Sequence, residues 1–269
     1  MKYKVMALDI DGTLTNSQKV ITEKTRKALF DFQEQGGKII LASGRPTQGI
    51  MPHAKTLHLD EYGGYILAYN GGCVIDCRTK DILFRDTLEH EYISEICSVI
   101  ENYPVGINTY EEDKIVAGHD INRYTEIESR INGMAIKYVE DFPKYVDFEV
   151  NKCLLQGEPE QILELEGILS EKYQNRLGIF KSEPYFLEIV PQGIDKAKSI
   201  DRLLKQIGVK TEECVACGDG FNDISMLQYA GLGVAMDNAS DTVKQAADFI
   251  TLSNDSDGIA HLLENIEND

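Results

Sequence analysis

Residues 4–14 read Lys-Val-Met-Ala-Leu-Asp-Ile-Asp-Gly-Thr-Leu, an apolar run that ends in two aspartates and a glycine. Uninterrupted apolar runs of this length are typical of strands buried inside a parallel sheet. Asp9 and Asp11 are two residues apart, so on an extended chain their side chains share one face. The stretch predicts a buried strand at residues 4–10 that delivers two carboxylates to the edge of a sheet.

Strand and helix patterns alternate outward from this strand. A helix is predicted at residues 23–35, with Thr22 as its N-cap and Gly36-Gly37 after its end. Buried strands are predicted at residues 38–42 and 64–69 and, after Pro191, at residues 213–217, 232–235 and 248–251. Helices are predicted between them at residues 195–207, 223–230, 241–247 and 258–264. This alternation predicts an α/β fold with a doubly wound, mostly parallel sheet.

Between residues 83 and 188 the pattern changes to a mixture of helices and short strands. Helices are predicted near residues 89–101, 121–131 and 160–173. Strands are predicted near residues 105–108, 114–116, 150–156, 176–181 and 185–190. We therefore predict a core domain of residues 1–82 and 189–269, with residues 83–188 inserted as an α+β cap domain with an antiparallel sheet.

Composition excludes several classes of partner. The chain has 269 residues, 42% of them hydrophobic, with a formal net charge of −18. Such a surface repels nucleic acid and anionic membranes, so we expect neither as a partner. No apolar run is long enough to span a membrane or to form a signal-peptide core, which predicts a cytoplasmic protein. Nothing in the sequence implies an obligate protein partner.

Polar groups concentrate where the predicted strands end. Asp9 and Asp11 follow the first strand, and the turn after residues 213–217 carries Asp219 and Asp223. A cluster of oxygen ligands without histidine or cysteine suits a hard cation, and Mg²⁺ is the usual one beside phosphate. The pair Cys214-Val-Ala-Cys217 lies in an apolar strand pattern, and no second pair completes a zinc site.

These residue types favour phosphoryl transfer. A carboxylate such as Asp9 can attack phosphorus and form an aspartyl-phosphate. Asp11 can protonate the leaving alcohol and then deprotonate water, and we expect the neighbouring acids to favour its protonated form. Lys196 and Mg²⁺ would neutralise the transferring group, while the Ser43 hydroxyl and nearby backbone N–H groups would hold its oxygens.

The motifs resemble those of the haloacid dehalogenase superfamily. Asp9-Ile10-Asp11-Gly12-Thr13-Leu14 resembles the first motif, and Ala42-Ser43-Gly44-Arg45-Pro46 resembles the second. Lys196 resembles the third and Gly218-Asp219-Gly220-Phe221-Asn222-Asp223 the fourth, in the same order along the whole chain. One departure is Ala197, where relatives often carry glycine after the lysine.

The resemblance implies a role for each motif residue. Asp9 is the nucleophile and a metal ligand, and Asp11 is the acid/base that also gives Mg²⁺ its backbone carbonyl. Asp219 is the third protein ligand, and Asp223 supports the metal. The implied substrate-binding residues are Ser43, Gly44, Arg45, Lys196 and Asn222. The long separation between Ser43 and Lys196, with Asn70-Gly71 and residues 187–191, resembles the Cof-type sugar-phosphatase branch.

Alternatives remain at the level of residues and of function. Arg45 can contact substrate or only the protein surface, and Asp223 can simply be a charge at a helix N-terminus. The leading hypothesis is an Mg²⁺-dependent phosphatase acting on a small phosphorylated metabolite such as a sugar phosphate. A phosphomutase of the same superfamily is the nearest enzyme alternative. A non-enzymatic metabolite-binding module is the alternative from another class.

Overall fold

The computed structural model describes residues 2–266 and shows two compact units. One unit comprises the chain up to Phe84 and from Asp195 onward, and the other comprises Arg85–Ile194. The predicted insert, residues 83–188, begins and ends a few residues earlier than the second unit. The difference at its end arises because the last strand of that unit continues to Pro191.

The first unit contains an eight-stranded sheet with helices between its strands. Its strands, numbered in chain order, are β1 (Val5–Leu8), β2 (Lys38–Ala42), β3 (Tyr65–Ala68), β4 (Cys73–Asp76), β5 (Ile82–Arg85), β12 (Cys214–Gly218), β13 (Leu232–Ala235) and β14 (Phe249–Ile250). Its helices are α1 (Glu23–Glu34), α2 (Thr47–Thr56), α3 (Leu59–Tyr62), α8 (Lys196–Ile207), α9 (Ile224–Tyr229), α10 (Asp241–Gln245) and α11 (Gly258–Ile266). The strand order is β14-β13-β12-β1-β2-β3-β4-β5.

Burial explains why β1 lies at the centre of the order. Every residue of Val5–Leu8 is buried, as a strand covered on both faces requires. The strand pairs in parallel with β12 on one side and with β2 on the other. The carboxyl ends of these three strands therefore meet at one edge of the sheet, where ligands bind in doubly wound folds.

Local signals set several helix boundaries. The Thr22 side chain accepts a hydrogen bond from the backbone N–H of Thr25, so it caps α1 as predicted. Helix α8 begins after Asp195, whose carboxylate accepts from the backbone N–H of Lys198. Helix α2 begins after Pro46, whose φ of −64° suits the start of a helix.

The sheet is not parallel throughout. Strand β4 runs antiparallel to β3 after a tight turn in which Tyr69 and Asn70 both have positive φ. The prediction of an α/β, mostly parallel fold is confirmed, but it did not include β4, β5 or the short α3. Each of these short elements includes exposed or half-buried residues, so no uninterrupted buried apolar run marks it.

The second unit contains a six-stranded sheet and four helices. Its strands are β6 (Gly106–Glu111), β7 (Lys114–His119), β8 (Ala135–Tyr138), β9 (Cys153–Gln156), β10 (Leu177–Glu183) and β11 (Phe186–Pro191), in the order β10-β11-β9-β6-β7-β8. Its helices are α4 (His90–Ile100), α5 (Arg123–Asn132), α6 (Phe142–Tyr145) and α7 (Pro159–Lys172). Only β7 and β8 pair in parallel among the described strands of this sheet, so the predicted α+β character is present.

Among residues 2–266, no helix has the length and apolar character needed to cross a bilayer.

Candidate active site

The candidate active site lies at the carboxyl edge of the sheet in the first unit. Asp9 follows β1 directly, Ser43 follows β2, and Asp219 follows β12. Lys196 opens α8, and Asp223 closes the short 3₁₀ turn of residues 221–223. Because β12, β1 and β2 are neighbours, the sheet brings residues from both ends of the chain together.

Lys196 is the buried cation of the site, with 1% of its side chain exposed. Its ammonium donates to Asp9 Oδ1 at 2.8 Å, to Asp223 Oδ1 at 2.6 Å and to the Ala42 carbonyl at 2.8 Å. An ammonium has three donors, so all three are satisfied. Burial alone would lower the pKa of Lys196, but the Asp223 and Asp9 carboxylates outweigh it and raise the pKa.

Three carboxylates crowd around this lysine. Asp9, Asp219 and Asp223 each offer an oxygen, and these oxygens all lie within 4.8 Å of one another. Burial, reinforced by the charge of Asp223, raises the pKa of Asp9 although Lys196 opposes the shift. Burial also raises the pKa of Asp219 to about 6, with Asp223 adding to the shift and the hydrogen bond from Thr13 opposing it.

The donor set fits a divalent cation. The group holds three acids against the single ammonium of Lys196, and every donor is an oxygen. The Asp223 carboxylate is already engaged, because Oδ1 meets Lys196 and Oδ2 accepts from the backbone N–H groups of Asp219 and Gly220 at 3.0 and 2.9 Å. Asp223 therefore orients the loop. The Asp9 and Asp219 carboxylates accept fewer hydrogen bonds than Asp223 does, so they are the more available ligands for a hard cation.

Asp11 lies apart from this acidic group. Arg45 donates to its carboxylate twice, from Nε and Nη2, each at 2.7 Å, and Lys19 donates at 2.8 Å. Burial pushes the pKa of Asp11 upward, but these two cations outweigh it and lower the pKa. The expectation that neighbouring acids favour a protonated Asp11 is therefore wrong for this arrangement.

Arg45 is thus mostly buried and is bound to a carboxylate of the protein. Its side chain is 15% exposed and forms a two-bond fork with Asp11, the geometry in which guanidinium and carboxylate match best. Lys19 was not singled out by the sequence. It lies in a surface turn with positive φ, and no periodicity or motif marks it.

The remaining predicted residues, Ser43, Gly44 and Asn222, lie on loops that contact one another. Ser43 is buried, and its hydroxyl accepts from the backbone N–H of Arg45 at 3.2 Å. Asn222 donates from Nδ2 to Asn70 Oδ1 at 3.0 Å, which joins the loop after β12 to the loop after β3. Gly44 lies against the same asparagine, because an added Cβ would be 3.1 Å from Asn70 Nδ2.

Two further residues contact the acidic group or the loop beside it, and the sequence did not predict a role for either. Thr13 donates from its hydroxyl to Asp219 Oδ1 at 2.8 Å. Asn238, in the turn after β13, donates from Nδ2 to the Gly12 carbonyl at 2.8 Å. Thr13 belongs to the first motif, so its position was available as a signal. Asn238 lies outside all four motifs.

A parallel sheet whose neighbouring strands deliver clustered carboxylates onto a buried lysine is the frame of a haloacid dehalogenase-like hydrolase. A family model for that class, the haloacid dehalogenase-like hydrolases, matches residues 6–263. The chain belongs to this family, which confirms the resemblance seen in the motifs.

Known proteins similar over nearly the whole chain support this assignment. A haloacid dehalogenase-like hydrolase from Bacteroides thetaiotaomicron is 45% identical, with a TM-score of 0.95 over 98% of this chain and 100% of that one. The HAD subclass IIB sugar phosphatase BT4131 is 28% identical, with a TM-score of 0.82 over 98% and 99%. The Bacillus subtilis 5-amino-6-(5-phospho-D-ribitylamino)uracil phosphatase YcsE is 29% identical over 96% and 93% of the two chains. The protein is therefore an enzyme, a phosphatase of the haloacid dehalogenase-like hydrolase family.

Proposed function

We propose that the protein is an Mg²⁺-dependent phosphatase that hydrolyses a small phosphorylated metabolite, a sugar phosphate in the first instance, through an aspartyl-phosphate on Asp9. The observation that carries the proposal is the contact of Lys196 with both Asp9 and Asp223 beside Asp219. It presents a nucleophile, a fixed cation and the carboxylates for a metal in one place. The similarity to BT4131, which is described as a sugar phosphatase, supports a sugar phosphate as the class of substrate.

Each residue has a chemical task in this proposal. An Asp9 oxygen attacks phosphorus, the bond to the substrate oxygen breaks, and Asp11 gives that oxygen its proton. Asp11 then accepts a proton from water as the water oxygen attacks the phosphoryl group, and inorganic phosphate leaves Asp9. Lys196 holds the attacking carboxylate in place throughout. Asp11 can act as an acid only once Arg45 and Lys19 release it, because both favour its ionised form.

The metal would be held by few groups. The carboxylates of Asp9 and Asp219 and the main-chain carbonyl of Asp11 are the proposed ligands, with Asp223 orienting the loop of Asp219. A bound Mg²⁺ supplies neutralisation of charge on the transferring phosphoryl group. Ser43, Gly44, Arg45 and Asn222 are proposed to hold the substrate. Residues 83–188 are proposed as an inserted cap domain. We further propose that the protein acts in the cytoplasm on a small phosphorylated metabolite, with no nucleic acid, membrane or obligate protein partner.

A panel assay tests the proposal. Phosphate release is measured from sugar phosphates and phosphorylated cofactors, with Mg²⁺ and with EDTA, for the wild type and for Asp9→Asn. Asp60→Asn is the matched control, because Asp60 is an exposed aspartate on α3. We expect release that requires Mg²⁺, disappears in Asp9→Asn and persists in Asp60→Asn. No release from any compound would overturn the proposal, and an isomeric sugar phosphate formed without free phosphate would favour the phosphomutase.

A further inference from the structure

A chain of hydrogen bonds joins the loops that hold the acidic group to the last part of the sheet. Asn238 lies in the turn after β13, and Asn254 opens a short 3₁₀ helix, Asn254–Ser256, after β14. Asn238 Nδ2 donates to the Gly12 carbonyl at 2.8 Å and approaches Asp219 Oδ2 at 3.4 Å. The backbone N–H of Asn254 donates to Asn238 Oδ1 at 3.0 Å.

The partners of Asn238 determine which way its amide points. A backbone N–H can only donate, so the side-chain atom that faces Asn254 must be the oxygen. The NH₂ group must then face Gly12 and Asp219, where a carbonyl and a carboxylate both need a donor. An amide satisfies all three partners in one orientation. A carboxylate at this position would place an oxygen against two acceptors.

Asn254 holds the same loop at a second point. Its Nδ2 donates to the Thr15 carbonyl at 2.9 Å, and the next residue, Asp255, accepts from the backbone N–H of Ser17 at 2.8 Å. The loop after β1 is therefore anchored at Gly12, Thr15 and Ser17. These three positions follow the residues of the first motif that carry the proposed chemistry.

The geometry at Gly12 shows how tightly this loop meets Asp219. Gly12 has φ of +86°, and a Cβ built on it would lie 2.3 Å from Asp219 Oδ2. The backbone of one loop thus lies directly against the carboxylate of the other. Thr13 donates to Asp219 Oδ1 at 2.8 Å, and the Asn238 amide lies 3.4 Å from Oδ2, a longer and weaker contact, so one donor faces each oxygen of the carboxylate.

We propose that Asn238 is a positioning residue for the divalent cation: it fixes the Asp219 carboxylate relative to the turn that carries the main-chain carbonyl of Asp11. The inference rests on the proposed function, because it concerns the same metal. Groups that orient metal ligands typically change metal affinity by 10- to 100-fold when they are removed. Asn254 acts one step further out, through its backbone N–H, by orienting the Asn238 amide.

Calorimetric titration of the metal-free protein with MgCl₂, in the absence of substrate, tests the inference. The variant is Asn238→Ala, and Asn265→Ala is the matched control, because within residues 2–266 the Asn265 side chain hydrogen-bonds only to His261 on its own helix. We expect the Mg²⁺ dissociation constant to rise by about tenfold or more in Asn238→Ala. The control is expected to keep the wild-type value.

The outcomes separate the inference from the proposed function. If the wild type binds Mg²⁺ and Asn238→Ala binds it equally well, the inference is overturned and the proposed function stands. If the wild type binds no Mg²⁺, the metal is removed from the proposed function and the inference falls with it. A purely structural role would lower the melting temperature in EDTA and leave the dissociation constant unchanged, which also overturns the inference. Should Asn238→Ala fail to fold, the same titration on Asn238→Ser decides, with the same rise expected.

Discussion

The ammonium of Lys196 lies 2.6 Å from the Asp223 carboxylate, and both side chains are 1% exposed. A buried ion pair of this kind adds little by its presence, because desolvation offsets most of the attraction. Its removal is costly, since the partner charges then remain buried without compensation. The ion pair therefore contributes little to the stability of the wild type, but substitution of either residue is expected to be costly.

Lys196→Met should destabilise the protein and abolish turnover. Removal of the ammonium leaves Asp9 and Asp223 as buried carboxylates beside each other, at a cost of about 3–5 kcal/mol in the free energy of unfolding. Urea denaturation in EDTA measures this cost, and phosphate release measures the activity. Lys205→Met is the control, because Lys205 lies on the same helix with its side chain 75% exposed. Equal stability of the two variants would contradict the prediction.

Asp219→Asn should change the pH dependence of stability in EDTA. The pKa of Asp219 is raised to about 6 in the folded protein, above its ordinary value of 3.8. Between these two values the folded state binds more protons than the unfolded state, so this carboxyl lowers stability as the pH rises. Asp219→Asn removes that loss.

The corresponding measurement is the unfolding free energy of both proteins at pH 4.5 and pH 7 without metal. We expect the unfolding free energy of Asp219→Asn, relative to that of the wild type, to increase between pH 4.5 and pH 7. A constant difference between the two proteins would show that the Asp219 carboxyl does not titrate in this range.

Lys19→Met should shift the pH profile of kcat/KM. Lys19 helps to lower the pKa of Asp11, so its removal raises that pKa. If Asp11 acts as the general acid, activity declines as the pH rises through its pKa, and the decline moves to higher pH in the variant. Lys24→Met, a lysine on α1 paired with Glu264, is the control. Superimposable profiles for Lys19→Met and the wild type would argue against Asp11 as the acid.

Gly12→Ala should impair the site beyond its effect on the backbone. Gly12 and Gly36 have φ of +86° and +93°, so an alanine at either is strained by about 1 kcal/mol or more. Only at Gly12 does the new Cβ meet a neighbour, Asp219 Oδ2 at 2.3 Å, while at Gly36 nothing lies within 4 Å. We expect both variants to lose stability in thermal denaturation but only Gly12→Ala to lose phosphatase activity. Full activity in Gly12→Ala would refute the close approach.

The sequence predicted best those strands that consist of an uninterrupted run of apolar residues. The apolar run before Asp9 marks a strand buried on both faces, and β2 and β13 occupy the residues predicted for them. Strand β8 carries only exposed or half-buried residues, and the second half of β4 is half-buried, so neither shows the continuous apolar run that separates a buried strand from a loop.

The residues of the candidate site also divide into those that a local pattern predicted and those that it missed. Asp9, Lys196 and Asp219 were predicted because they belong to motifs at strand or helix ends. Lys19 and Asn254 act through contacts that depend on how distant loops meet. Asn254, for example, bonds to the Thr15 carbonyl 239 positions earlier. No local pattern records such a contact, and only the assembled fold reveals it.

The pairing of β1 with β12 also orders events during protein synthesis. Val5 pairs with Cys214 and Leu8 with Cys217, so the central strand has its second neighbour only after more than two hundred residues have been translated. Lys196 and Asp219 emerge equally late. A growing chain on the ribosome therefore carries the Asp9 carboxylate long before it has the groups that surround it in the folded protein, and the candidate active site can assemble only near the end of translation.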